Sequence, residues 1–208
     1  MLHKIPVWFQ KLFSGYTWQI PGAGKVIYLT FDDGPIPEVT EWVVEILAKY
    51  GIRASFFVVG ENVSKYPEVF RKLVEGRHVI GNHTYHHVRG WGTPTSLYLV
   101  EAGLCKDAIM ENGGEEPLYF RPPHGRIRPA QAKALRERYK LLMWNVLTVD
   151  YDRNLNEEKC LANSIKATHP GSIVVFHDSL KAEKNLKYVL PRYIEHFTSL
   201  GYSFEPLP

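Results

Sequence analysis

The stretch "KVIYLTFDDGP" (25–35) decides the fold. Its first part, "KVIYLTF" (25–31), is a β-rich and nearly continuous apolar run. Such a run suits a strand covered on both faces. Two acids and a Gly-Pro end it in a turn. Then "EVTEWVVEILAKYG" (38–51) shows helical spacing and stops at a glycine.

The same unit recurs along the chain. "RASFFVVG" (53–60), "HVIGNH" (78–83), "LYFR" (118–121), "KLLMWNVL" (140–147), "SIVVFH" (172–177) and "YSFEPL" (202–207) read as further strands. Helical patterns lie at 66–77, 96–114, 129–139, 156–171 and 185–201. About seven strands alternating with helices predict an α/β fold with a parallel sheet. Periodicity leaves open whether that sheet closes into a barrel or stays doubly wound. The polar clusters "DDG", "NH", "RPPH", Asp150 and "HD" all fall at or just after strand C-termini. In parallel α/β folds those ends share one face, where active sites lie.

At 208 residues the chain is sized for one domain, expected to span 1–208, with residues 1–24 as an extension packing on it. Charged residues are 23% and net charge is +3, too weak a basic balance to argue for nucleic acid. Cys105 and Cys160 both fall in helical patterns, so a disulfide is not expected. Lys4, Gln10 and Lys11 interrupt the N-terminal apolar run, which therefore does not read as a signal peptide. No window approaches a membrane span of about 20 apolar residues. These features imply a cytoplasmic location. The aromatic run Trp8, Phe9, Phe13, Tyr16 and Trp18 is expected to pack on the domain, with contact to a membrane surface as the lesser alternative.

Side chains alternate along an extended chain, so Asp32 and Asp33 should point apart, one to a metal and one free as a base. "DDGP" taken alone equally suits a turn and a helix cap. "HTYHH" (83–87) is expected to form a short helical piece, on which His83 shares a face with either His86 or His87. Two imidazoles and a carboxylate make a metal site with an open position, the pattern of a catalytic rather than a structural metal. "RPPHG" (121–125) is a stiff loop whose glycine frees the backbone to turn, with Arg121 suited to hold a carboxylate. Asp150 and His177 end strands, and an acid beside His177 would keep it protonated for general acid chemistry.

Taken in order, "TFDDG", "HTYHH", "RPPHG", "VDYD" and "VVFH" resemble the five motifs of the polysaccharide deacetylase family, metal-dependent carbohydrate esterases and de-N-acetylases. The motifs run from Thr30 to His177, and the strand–helix alternation extends the likeness over most of the chain. The resemblance implies a distorted, incomplete (β/α) barrel of about seven parallel strands with helices outside. It implies that Asp33, His83 and His87 bind one divalent metal, Zn²⁺ by donor type, with Co²⁺, Ni²⁺ or Mn²⁺ as alternatives. Asp32 would be the general base held by Arg121, and His177 the general acid tuned by Asp150. His124, Trp144, Tyr151 and Val175 would line the substrate pocket. His124 stands where the family usually has Tyr, and Tyr151 where it usually has Trp.

The expected reaction is removal of acetyl groups from N-acetylated amino sugars of peptidoglycan or chitin type. One alternative keeps the metal but cleaves a C–N bond in a small amide, which a closed cavity rather than an open groove would favour. Another is a non-catalytic glycan-binding module, which would lack a base or an acid.

Overall fold

The computed structural model describes residues 3–22 and 24–208. The chain order is α1 (Val7–Leu12), β1 (Val26–Asp32), α2 (Val39–Lys49), β2 (Ser55–Val58), α3 (Gly60–Lys65), α4 (Pro67–Glu75), β3 (Val79–Asn82) and α5 (Thr95–Glu111). It continues with β4 (Tyr119–Phe120), α6 (Pro129–Leu135), β5 (Lys140–Leu141), β6 (Val146–Leu147), α7 (Glu157–Ala167), β7 (Ile173–His177), α8 (Glu183–Ser199) and β8 (Ser203–Phe204).

One sheet runs in the order β5-β4-β3-β2-β1-β7-β6, and every pairing is parallel. β8 adds a short parallel pairing beside the start of β1. The two ends of this path, β5 and β6, are nearly consecutive in sequence. Five peptide steps from Leu141 to Val146 span at most about 18 Å. An open flat sheet would hold its edges farther apart, so the sheet must curl until they nearly meet. The result is an incomplete (β/α) barrel, as the resemblance implied.

The seam is covered by the segment before β1. The Thr17 N–H donates to the Leu141 carbonyl (3.0 Å) and the Met143 N–H to the Thr17 carbonyl (2.8 Å). The Ile5 N–H donates to Asn145 (2.9 Å) and the Leu147 N–H to His3 (2.9 Å). These bonds explain why "KLLMWNVL" is not one strand. Its middle residues give their backbone groups to the N-terminal segment and to Arg121, so the strand splits into β5 and β6. Within that segment Phe9 packs against Phe13 and Trp18, while Trp8 and Leu12 stay exposed. Among the described residues no helix is long and apolar enough to cross a membrane.

Alternation along β1 sorts its side chains. Ile27, Leu29 and Phe31 join the large core with Val43, Leu47 and Leu190 of the helices. Tyr28 packs with Phe57, Ile173 and Leu207 in a separate cluster. Thr30 and Asp32 follow Tyr28 on that same face, which sets Asp32 above an apolar plug. Helix α3 was not anticipated, because Gly60 reads as punctuation. Gly60 is there for close approach: a Cβ would lie 2.6 Å from the Tyr85 ring and 2.8 Å from the Cys105 Cα. Cys105 and Cys160 are buried free thiols.

Candidate active site

The strand ends deliver the polar residues to one face. Asp32 and His177 are register partners on β1 and β7. Asp32 is buried, and its Oδ1 accepts from the Arg121 guanidinium at 2.5 Å. Arg121 is fully buried, donates also to Thr30 Oγ1 (2.8 Å) and the Met143 carbonyl (3.1 Å), and lies 4.0 Å from the Phe57 ring centroid. Burial raises the Asp32 pKa, with the Asp33 charge adding to it, while Arg121 and His177 oppose the rise. A carboxylate shifted upward is a better proton acceptor near neutral pH.

Asp33 lies past the strand with a φ of 84°. Its carbonyl accepts from Asn62 Nδ2 at 2.8 Å. The left-handed turn cancels the alternation expected for the acid pair, and the two carboxylates converge. His83 Nε2 lies 4.0 Å from Asp32 Oδ2 and 3.8 Å from Asp33 Oδ1. The next residue must be small and must be glycine. A Cβ on Gly34 would fall 2.0 Å from a carboxylate oxygen of Asp178. Buried Asp178 accepts from the Gly34 N–H (3.1 Å) and the Thr40 hydroxyl (2.6 Å), which anchors the acid turn to β7 and α2.

The histidine loop corrects a second expectation. "HTYHH" is not helical. Buried Asn82 ends β3 and accepts from the Thr84 N–H at 2.9 Å, and Thr84 and His87 take φ values of 67° and 53°. This tight turn brings the His83 and His87 rings to 5.0 Å between centroids. His86 turns away and bonds through Nδ1 to Glu101 Oε1 on α5 at 2.9 Å. His83 Nδ1 pairs with the Arg121 carbonyl at 2.7 Å, so the proton sits there and the Nε2 lone pair is free. Burial and the neighbouring His87 hold the His83 pKa well below its ordinary value. One ligand atom each from Asp33, His83 and His87 lies within 4.8 Å of the others. A neutral imidazole, a second imidazole and a carboxylate with converging lone pairs fit a divalent cation that takes N and O donors.

On the other wall, Asp150 accepts from the His177 N–H (2.8 Å) and pairs with His177 Nδ1 (2.7 Å). Val149, before it, is forced to a φ of 60°, a strained state for a β-branched residue that aims Asp150 inward. Burial alone would lower the His177 pKa. The Asp150 carboxylate overcomes that effect, and the pKa rises to about 9.

These walls enclose a cleft of about 590 Å³. Asp32, Asp33, His83, His87, His124, Trp144, Tyr151, Val175 and His177 line it, while Arg121 and Asp150 stand behind Asp32 and His177. His124, at φ 58°, sets its ring 4.8 Å from that of His87. Burial, His87 and two arginines lower its pKa. Tyr151 meets the His177 ring edge-on at 4.8 Å. Leu147, Arg89, Arg126, Ser179 and Lys181 complete the lining and were not singled out from sequence. Asn82 and Asp178 were also missed as organisers of the site, although both flank residues that had been noted.

The sequence profile of polysaccharide deacetylases matches residues 19–141. The chain belongs to the polysaccharide deacetylase family. It is a hydrolase of that class, acting on carbohydrate. It is 31% identical to a peptidoglycan-N-acetylglucosamine deacetylase of Bacillus cereus, over 92% of this chain and 91% of that protein. It is 29% identical to the peptidoglycan-N-acetylmuramic acid deacetylase PdaA of Bacillus subtilis, over 88% of this chain and 70% of that protein. A crystal structure of a peptidoglycan N-acetylglucosamine deacetylase with 4-naphthalen-1-yl-N-oxidanyl-benzamide superposes with a TM-score of 0.90 at 28% identity. The match covers 98% of this chain and 95% of that one.

Proposed function

We propose that this deacetylase removes the acetyl group from N-acetylated amino sugars of a peptidoglycan-type glycan, with a divalent metal held by Asp33, His83 and His87. The observation that carries the reading is the convergence of these three side chains beside Arg121-held Asp32 and across the cleft from His177. When bound, a cation such as Zn²⁺ polarises the acetyl carbonyl and acidifies a water.

The chain's own residues do the rest. Asp32 takes the proton of the attacking water, and Arg121 fixes which carboxylate oxygen faces the cleft. Pro122 and Pro123 have no N–H, so the His124 N–H is the first backbone donor of its loop available to the developing oxyanion. One such donor contributes about 3–4 kcal/mol to the transition state. His177 protonates the leaving amine, and Asp150 holds its proton on the ring. Trp144, Tyr151 and Val175 bound the space for the acetyl methyl and the sugar. The exposed mouth of the cleft suits a chain passing across it better than a small amide sealed inside.

The test is acetate release from acetylated chitooligosaccharides and from peptidoglycan fragments. Asp32→Asn should lower turnover by at least about 100-fold, the scale of a positioned base. Turnover at the wild-type rate would refute the base assignment.

A further inference from the structure

The mouth of the cleft carries charge that the hydrolysis does not use. Arg89, Arg126 and Lys181 line it and are exposed. Among the described residues none of the three is in an ion pair. Among the described residues the acids of the cleft lining are Asp32, taken by Arg121, and Asp33, facing two imidazoles. The rim therefore brings three cations together at one mouth, none of them in a direct ion pair among the described residues.

It is also organised. The Arg126 guanidinium lies 5.2 Å from the Trp91 ring centroid. Trp91 Nε1 donates to the Ile127 carbonyl at 3.2 Å, and the Trp91 carbonyl accepts from Arg128. Gln131 Nε2 donates to the carbonyls of Gly90 (2.9 Å) and Thr93 (3.0 Å). These bonds clip the turn after Arg89 to the loop of Arg126. Arg89 follows His87 by two residues and Arg126 follows His124 by two, and those two rings are 4.8 Å apart. Lys181 stands on the opposite wall, 5.3 Å from the Tyr151 ring centroid.

We infer that Arg89 and Arg126 form a subsite for an anionic substituent, a carboxylate or phosphate, on the acetylated sugar chain, with Lys181 facing a second such group across the cleft. This inference rests on the deacetylase reading and narrows its substrate class. Guanidinium groups present paired donors that match both anions, and stacking on Trp91 reduces the freedom that binding must remove. A lactyl carboxylate on a muramic residue and a phosphate ester on a sugar share the required chemistry. The charges are exposed, so their effect must weaken with salt.

The test measures binding and acetate release together, with zinc-loaded protein at low salt. The probes are an N-acetylglucosamine–N-acetylmuramic acid disaccharide, the same disaccharide with its lactyl acid capped as an amide, and a phosphorylated N-acetylglucosamine dimer. The free acid or the phosphate should bind about tenfold tighter than the amide, the scale of one charge-assisted hydrogen bond in part-solvated surroundings. The advantage should shrink at high salt. In Arg89→Gln/Arg126→Gln the ratio of acid to amide affinity should fall towards one. Equal affinity of the wild type for acid, phosphate and amide overturns the subsite, and that comparison needs no variant to fold. Preference for phosphate over carboxylate keeps the subsite and names its source. Preferential binding without acetate release overturns the deacetylase reading and leaves the subsite standing.

Discussion

Asp150→Asn isolates the electrostatics of the acid wall. The substitution preserves shape and an acceptor oxygen for the His177 Nδ1 proton, now 2.7 Å from Asp150 Oδ1, removes the charge, and puts an amide NH2 where Oδ2 accepts from the His177 backbone N–H. Burial lowers the His177 pKa, and the Asp150 charge is the largest force raising it to about 9. Without that charge the largest upward influence on His177 is gone while burial still disfavours the charged ring, so the pKa falls below the wild-type value. A proton held up to about 9 in the wild type is therefore lost at lower pH in the variant. Removing an opposite charge at this range lowers a pKa by about 1–3. A fall of about 2, the middle of that range, drops the protonated fraction at pH 7.5 from about 97% to about 24%, so kcat/KM falls about fourfold from protonation alone. The assay is a pH profile of kcat/KM for acetate release, each protein normalised to its own maximum. The alkaline limb should move down by about two units and activity should recover on acidification. An alkaline limb within half a unit of the wild type would refute the pairing as the source of acid strength.

Two further outcomes follow from the site. His83→Ala and His87→Ala should lose stoichiometric metal, while His86→Ala, whose ring pairs with Glu101 instead, should keep it; metal content after dialysis decides, and equal loss in all three would contradict the ligand set. Asp178→Ala strips the acceptor from the buried Gly34 N–H and Thr40 hydroxyl, and should cost about 2–4 kcal/mol in denaturant unfolding; a cost below about 1 kcal/mol would contradict its anchoring role.

The strand–helix alternation and the placement of acids, histidines and arginine at strand ends were legible because both follow from local pattern. The curl of the sheet was not. It depends on β5 and β6 being consecutive in sequence yet at opposite ends of the pairing order, which no local period records. "KLLMWNVL" looked like one strand because its apolar run is continuous, but several of its backbone groups bond to residues more than 100 positions earlier. Left-handed backbone at Asp33, Thr84, His87, His124 and Val149 carries the site geometry. None of these is glycine, so no residue type marked such turns. That is why the acid pair was expected to diverge and "HTYHH" to be helical. The cationic rim was invisible for another reason: Arg89, Arg126 and Lys181 look like ordinary surface charges until the fold gathers them at the mouth of one cleft.

The most direct test of the account is acetate release from peptidoglycan fragments by chelator-treated protein before and after readdition of one equivalent of Zn²⁺. The account predicts that release falls to background on chelation and returns with the metal in the wild type, but not in His83→Ala. Undiminished release from protein shown to be metal-free would contradict it.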